Sequence, residues 1–399
     1  MRIPAEIEYV LRRLEACGYE AYLVGGCVRD ALRGQSPDDF DVTTSALPTE
    51  TERVFAADRI IETGLKHGTV TVLRGGMPVE ITTYRTEGTY SDGRHPDSVA
   101  FTRSLAADLQ RRDFTVNAMA MDVRGVIADP CGGREDLAAK CLRAVGDPEW
   151  RFTEDALRIL RAFRFAAKLG FTIEAKTYAA AVALAPRLRL ISRERVFAEL
   201  CKLLCAPYAA ETLAQMLDGG VFDCIFDAPV LNRRALAYLH SLPPRADIRL
   251  AALLYGDAAA QAHVASLKPP AAFMRRVAGI LHAAAPKTDA PSLCRFVYAN
   301  GTELARDAAL VLAKEQAAPA ELPARLDALL AHADCLTLRD LKVGGEDARA
   351  AGFVGQDIGM ALESVLLAVF DGKIDNSRGA EIEFLLSLGT KAVDREGKV

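Results

Sequence analysis

Two short runs near the N-terminus leave this chain little freedom in how it begins. Gly25-Gly26 follows the apolar Ala21-Tyr22-Leu23-Val24, and after twelve intervening residues comes Asp39-Phe40-Asp41-Val42. The apolar run has the composition of a short buried strand, the glycines stop it, and a helix is expected from Val28 to about Leu32. The second run reads as another strand. Residues i and i+2 of a strand share a face, so Asp39 and Asp41 should project together while Phe40 and Val42 enter the core.

Neighbouring carboxylates repel unless a cation lies between them. Hard oxygen donors favour Mg²⁺, which usually takes one or two carboxylates and completes its shell with water and phosphate oxygens. A glycine turn that opens a helix offers backbone N–H groups to an anion, and Arg29 can add donors to phosphate. Glu80, flanked by Val79 and Ile81, points off the apolar face of its strand and is a candidate third carboxylate. These parts suit in-line displacement at phosphorus.

At 399 residues and half hydrophobic, the chain exceeds the size at which one core usually keeps growing, so two to four packed units are expected. No run reaches the ~18 apolar residues of a membrane span, and Met1-Arg2-Ile3-Pro4-Ala5-Glu6 lacks the apolar stretch of a secretory signal, so a cytoplasmic location without membrane partners is expected. The nine cysteines are scattered without Cys-x-x-Cys pairs and are expected to stay reduced. A net charge of −4 argues against a protein that coats nucleic acid indiscriminately, yet residues 143 to 202 hold twelve Lys/Arg against seven Asp/Glu.

Ile7, Val10, Leu11 and Leu14 predict an amphipathic helix over residues 5 to 17. Gly68 to Leu73 and Pro78 to Tyr84 predict a hairpin around Arg74-Gly75-Gly76-Met77, with a further strand near Ser98 to Phe101. Beyond Leu142 the texture turns to Ala, Leu and Arg with helical spacing, interrupted by prolines. The expected fold class is therefore α+β, a small mixed or antiparallel sheet head followed by all-helical parts. The breaks suggest a head at 1–142, a helical neck at 143–205, a body at 206–335 and a tail at 336–399.

Two further runs carry chemistry. In Arg111-Arg112-Asp113-Phe114-Thr115-Val116-Asn117, Asp113 and Asn117 lie one helical turn apart and can hold a ribose hydroxyl, while Arg111 or Arg112 faces phosphate. Thr153 is a plausible N-cap for a helix from Glu154 to Leu169, with Arg158, Arg161 and Arg164 as a basic stripe. Acids at its first turn also suit the helix macrodipole, so Glu154 and Asp155 have a purely structural reading too. Asp155 only accepts and Arg158 only donates, and at i, i+3 they can sit together. Cytosine and adenine present an amino donor beside a ring-nitrogen acceptor, whereas guanine and uracil present the inverse, so such a pair accepts C and A.

These residues resemble the class II CCA-adding tRNA nucleotidyltransferases of the polymerase-β-like superfamily, which share ancestry with bacterial poly(A) polymerases. Leu23 to Asp30 with Asp39-Phe40-Asp41 resembles the family's catalytic motif, and Arg111 to Ala118 its ribose motif. Asp129-Pro130 through Gly133, Asp136 and Leu137 resembles the link from head to neck. Glu154 to Arg158 resembles the amino-acid template, and Ser192 to Arg195 with Glu199 the helix that braces it. Asp340 to Gly345 and Gly352 to Gly355 resemble, more loosely, the family's tail.

The resemblance implies template-independent addition of C, C and A to tRNA 3′ ends from CTP and ATP, with Mg²⁺ as cofactor. It implies Asp39, Asp41 and Glu80 as catalytic residues, the first two holding metal. Gly25, Gly26, Arg29, Arg112, Asp113, Asn117, Glu154, Asp155, Arg158, Arg161 and Arg164 would bind nucleotide, and tRNA would lie along the basic neck and the tail. Thr86 to Pro96 looks like the flexible loop that CC-only enzymes usually lack. An A-adding enzyme, a bacterial poly(A) polymerase and an RNA-binding protein with a silent site are the rival readings.

Overall fold

The computed structural model describes residues 3–37, 39–61, 68–88, 99–227 and 229–396. The chain divides into two compact units, one of residues 1–229 with 263–268 and one of residues 230–262 with 269–399.

The first unit opens with α1 (Ala5–Ala16), whose Ile7, Val10, Leu11 and Leu14 are all essentially inaccessible to water. Burying each such side chain is worth about 1.5–3 kcal/mol, which is why their spacing fixes the helix and its orientation. Then follow β1 (Ala21–Val24), α2 (Gly26–Leu32), β2 (Asp41–Thr44), α3 (Pro48–Val54), β3 (Arg59–Ile61), and the hairpin of β4 (Thr69–Arg74) and β5 (Met77–Thr83). After β6 (Arg85–Glu87), β7 (Val99–Phe101) and α4 (Leu105–Gln110), a 3-10 turn (Thr115–Asn117) leads to β8 (Ala120–Met121) and β9 (Ile127–Ala128).

Among the described residues the main sheet runs β3-β4-β5-β2-β1-β8-β9, and β6 pairs with β7 apart from it. Its neighbours are antiparallel except β2 and β5, which run parallel. A mixed sheet results. One core packs α1 against the sheet through Leu23, Val28, Val42, Val70, Val79 and Ile81. The β2–β5 register sets Asp41 beside Glu80, and the β1–β2 register sets Val24 beside Asp41. The glycine turn and two acids thus meet at the start of β2.

α5 (Gly133–Ala138) and the short parallel pair β10 (Cys141–Leu142) and β11 (Thr172–Ile173) join the sheet region to helices α6 (Pro148–Glu154), α7 (Leu157–Leu169), α8 (Ala175–Leu184) and α9 (Arg193–Leu204). The expected single helix from Glu154 to Leu169 is therefore two. Asp147, not Thr153, caps the first, accepting from the Trp150 amide at 2.9 Å with Pro148 at the following position. Asp155 is extended (φ −138°, ψ 104°) and breaks the path between the two. The strand expected at Asp39 begins two residues later, so Asp39 precedes β2 rather than belonging to it.

The second unit is helical, with clusters around Phe296, Ala308 and Leu312 and around Val365, Leu366 and Phe370. None of the nine cysteines is in a disulfide. No helix among the described residues is long and apolar enough to cross a membrane.

Gly133 is a point of close approach. A β-carbon there would lie 2.8 Å from the Thr115 carbonyl carbon and overlap its oxygen. Backbone cannot swing aside as a side chain does, so Gly133→Ala should cost about 2–4 kcal/mol, read as a lower urea midpoint. An unchanged midpoint would show that α5 is free to move off the 3-10 turn.

Candidate active site

Gly25 holds φ +80° and ψ −131°, a conformation open in practice only to glycine. A β-carbon on it would stand 3.4 Å from Arg112 Nη1. The turn therefore keeps a guanidinium against the chain where α2 begins. Arg112 is steered there by Asp108, which is inaccessible to solvent and accepts from Arg112 Nη2 (3.3 Å) and from Arg111 Nε and Nη2 (2.9 and 2.8 Å). Burial pushes the Asp108 carboxyl up, but the two arginines carry it below its ordinary value. Arg112 Nε is buried and has no partner among the described residues.

Asp41 feels the opposite balance. Its residue remains accessible to solvent, yet desolvation of its carboxyl raises the pKa; Arg112 counters this, and Glu80 and Asp39 add to it. Three acids crowd one place, and Arg112 is the cation that acts on Asp41 among them. Their hard oxygen donors fit a divalent cation of the Mg²⁺ kind. Among the described residues, no three His, Cys, Asp or Glu side chains converge as a ready-made cage. A shell of two carboxylates finished by substrate oxygens is the arrangement these donors suit.

Arg29 lies beneath the turn, its Nη2 3.5 Å from where a Gly26 β-carbon would be. It is buried, donating to Asp30 (2.9 Å from both Nε and Nη2) and to Asn117 Oδ1 (2.6 Å). As the side chain stands, it positions its neighbours; contact with phosphate would have to use its remaining donors. Asp113 and Asn117 do come together, but across the 3-10 turn rather than along an α-helix. Asn117 Nδ2 donates to Asp113 Oδ1 at 3.2 Å, and Asp113 Oδ2 accepts from Arg161 Nε and Nη2 at 2.9 and 2.7 Å. Both are buried and committed to one another.

The network continues into the neck helices. Arg164 meets Glu199 at 2.6 Å, and the guanidinium carbons of Arg29, Arg161 and Arg164 lie 5.5, 5.3 and 3.8 Å from the centroid of the Phe165 ring. Cation–π attraction lets three like charges gather around one buried ring. Arg195 of α9 reaches Asp155 Oδ2 at 3.0 Å, while Asp155 Oδ1 accepts the Leu157 amide that starts α7.

The Arg158 amide donates to the Asp155 carbonyl at 3.0 Å, while the two side chains take other partners. Arg158 Nη1 donates to Glu154 Oε2 (2.5 Å) and Nη2 to the Arg111 carbonyl (3.2 Å). The helix break accompanies this: Asp155 is extended and precedes α7, and its carboxylate turns to the Leu157 amide and to Arg195. Arg151 holds the same junction, donating to Glu154 and to the carbonyls of Gln110 and Arg111. The Arg111–Arg112 segment therefore ties the neck to the acids: one residue's carbonyl receives Arg158, and the next residue's guanidinium faces Asp41.

Asp108, Arg151 and Phe165 had not been singled out from sequence. A signal existed for Asp108, whose spacing of three and four to Arg111 and Arg112 is that of a helical ion pair. Of the loop Thr86 to Pro96, residues 89–96 lie outside the described residues.

Burial raises the Asp113 carboxyl, but Arg161, by charge and hydrogen bonds, overrides it and holds it at about 2. A carboxylate depressed from 3.8 to about 2 contributes stability present above pH 3.8 and lost as pH falls through 2, about 2 kcal/mol at neutral pH. Asp113→Asn should thus lower the unfolding free energy in urea by about 2 kcal/mol or more at pH 6. The deficit should shrink between about pH 4 and 2. A deficit independent of pH would refute this origin.

Two family models match: the Poly A polymerase head domain over residues 21–143, and the probable RNA and SrmB-binding site of polymerase A over residues 170–233. A CCA-adding enzyme of Streptococcus pneumoniae is 38% identical over 393 residues, covering 95% of this chain and 97% of that one. One from Geobacillus kaustophilus is 50% identical over 213 residues, about half of each chain. The crystal structure of the Bacillus stearothermophilus CCA-adding enzyme in complex with CTP aligns over 99% of this chain and 100% of its own, with TM-score 0.83 and 33% identity.

Proposed function

The chain belongs to the family of CCA-adding tRNA nucleotidyltransferases, and on that premise we propose that it extends tRNA 3′ ends by C, C and A, using CTP and ATP and releasing pyrophosphate. One observation carries the assignment to these residues: Asp39, Glu80 and Arg112 all act on Asp41, and Arg112 lies beside the Gly25–Gly26 turn. In this reading residues 1–142 are the catalytic head, 143–205 the neck that selects nucleotide, 206–335 the body and 336–399 a tRNA-binding tail. The location is cytoplasmic.

The 3′-hydroxyl of the tRNA attacks the α-phosphorus, an O–P bond forms, and the bond to the β-phosphate oxygen breaks as pyrophosphate departs. Asp39 and Asp41 would hold Mg²⁺, which when bound supplies Lewis-acid stabilisation of the charge on attacking and leaving oxygens. Arg112 takes triphosphate charge, its unpaired Nε being the donor with most to gain. Gly25 and Gly26 leave room for phosphate to approach the backbone. Asp113 and Asn117, locked by Arg161 and Arg29, shape the ribose pocket, and Glu80 adds negative field beside Asp41.

Asp155 offers an acceptor to the amino group of C or A. Arg158 offers a donor to the ring nitrogen, exchanging a bond it now makes to Glu154 or to a carbonyl. Arg161, Arg164 and Glu154 keep these two in register. Since one matching family model is named for poly(A) polymerase, continued A addition is the second reading.

The decisive assay offers tRNA ending before CCA, after C and after CC, with each nucleotide alone. C should be added to the first two and A once to the third; repeated A addition would mean a poly(A) polymerase. Asp41→Ala should lower incorporation by about a thousandfold or more with tRNA affinity nearly unchanged, and substantial residual activity would contradict its role. Arg158→Ala should cut discrimination against U and G by about tenfold to a hundredfold. Unaltered selectivity would reduce the residue to a helix-junction brace.

A further inference from the structure

α2 starts at the catalytic turn and ends about 10 Å along its axis, at 1.5 Å per residue, in a different cavity. This cavity, of about 440 Å³, lies where Leu32 and Arg33 of α2 meet α5 and the end of α7. Its floor is apolar, made by Leu137, Leu169 and Phe171, with Phe171 only 7% exposed. Its rim carries Arg33, Arg134 and Lys140, and no acidic side chain lines it among the described residues.

The walls are built rather than incidental. The Arg33 guanidinium stands over the Phe171 ring at 5.7 Å, donates to Gln35 Oε1 at 3.1 Å, and meets Asp30 only at 3.8 Å. The Tyr208 ring lies against Gly170, which has φ +68° and where a β-carbon would come within 2.7 Å of it. The Tyr208 amide donates to the Ala167 carbonyl at 2.9 Å, so this half-exposed ring is held by its backbone. Lys140 keeps a left-handed φ of 51°, a conformation glycine or asparagine adopts more readily, yet a cation stands there.

A concave site with an apolar floor and converging polar groups is the general form of a small-ligand pocket. An aromatic face combined with guanidinium and ammonium groups suits a nucleobase joined to phosphate. We propose that this cavity is an accessory site for a nucleoside phosphate, its base against Tyr208 and the apolar floor, its phosphates toward Arg33, Arg134 and Lys140. None of these residues belongs to the catalytic set, so the site stands apart from the catalytic reading. A free nucleoside triphosphate and a nucleotide of bound RNA share this chemistry.

Calorimetry on the full chain, with ATP as probe, separates the two sources. For a free nucleotide, ATP binds at two sites, and Arg134→Gln with Lys140→Gln weakens one of them about tenfold or more. The rate of C and A addition then stays within about twofold. Tyr208→Ala weakens the same site for ATP but not for inorganic tripolyphosphate, and Tyr208→Phe restores it. For a nucleotide of the RNA, ATP binds once, and both the double variant and the uncharged Tyr208→Ala change lower tRNA affinity by about fivefold. One ATP per chain with tRNA affinity unaltered in both variants overturns the proposal. So does tripolyphosphate binding as tightly as ATP with Tyr208→Ala silent.

Discussion

Between Asp113 and Arg161 runs the ion pair on which the geometry of the site depends. Asp113 follows the two arginines next to α4, and Arg161 lies in the middle of α7, so their bidentate contact registers the sheet-bearing segment against the neck. From Asp113 the chain of bonds passes to Asn117, Arg29 and Asp30 on one side. On the other it reaches Glu199 through Arg161, and then Arg164, beside the ring of Phe165. Removing one member of a buried pair typically costs 3–5 kcal/mol because the other is left uncompensated. A hydrophobic replacement of both partners can restore stability without restoring aim, so the network makes better sense as a positioning device than as a source of stability.

That network also divides the arginines by duty. Arg29, Arg151, Arg158, Arg161 and Arg164 spend donors or charge inside the protein, on carboxylates, carbonyls and an aromatic ring. Arg112 differs. Asp108 holds one end of its guanidinium, Gly25 gives it room, and its Nε remains buried and unpaired beside acids that repel one another. Arg112 is thus the cation set against Asp41, with a donor still to use.

Elements whose residues interact over short range were legible in the sequence. The spacing of Ile7 to Leu14 gave α1, Gly75-Gly76 between alternating strands gave the β4–β5 hairpin, and Gly25-Gly26 gave the first turn. Two-residue strands such as β8 and β9 are too short for any alternation to register. The break at Asp155 was missed because Thr153-Glu154-Asp155 carries the chemistry of a helix start, while the effective start, Asp147-Pro148, stood six residues earlier. The excess of Lys and Arg between residues 143 and 202 looked like a surface for RNA. Of the twelve, Arg158 is buried and six are half-buried, and an arginine's composition does not reveal a carboxylate partner 48 residues away, as Asp113 is from Arg161.

Asp155 occupies the joint between two helices, and each oxygen of its carboxylate has an assignment: one receives the amide that begins α7, the other the guanidinium of Arg195. Losing that carboxylate would therefore unfasten the first turn of the helix that carries Arg158, Arg161 and Arg164, whether or not a nucleotide is present.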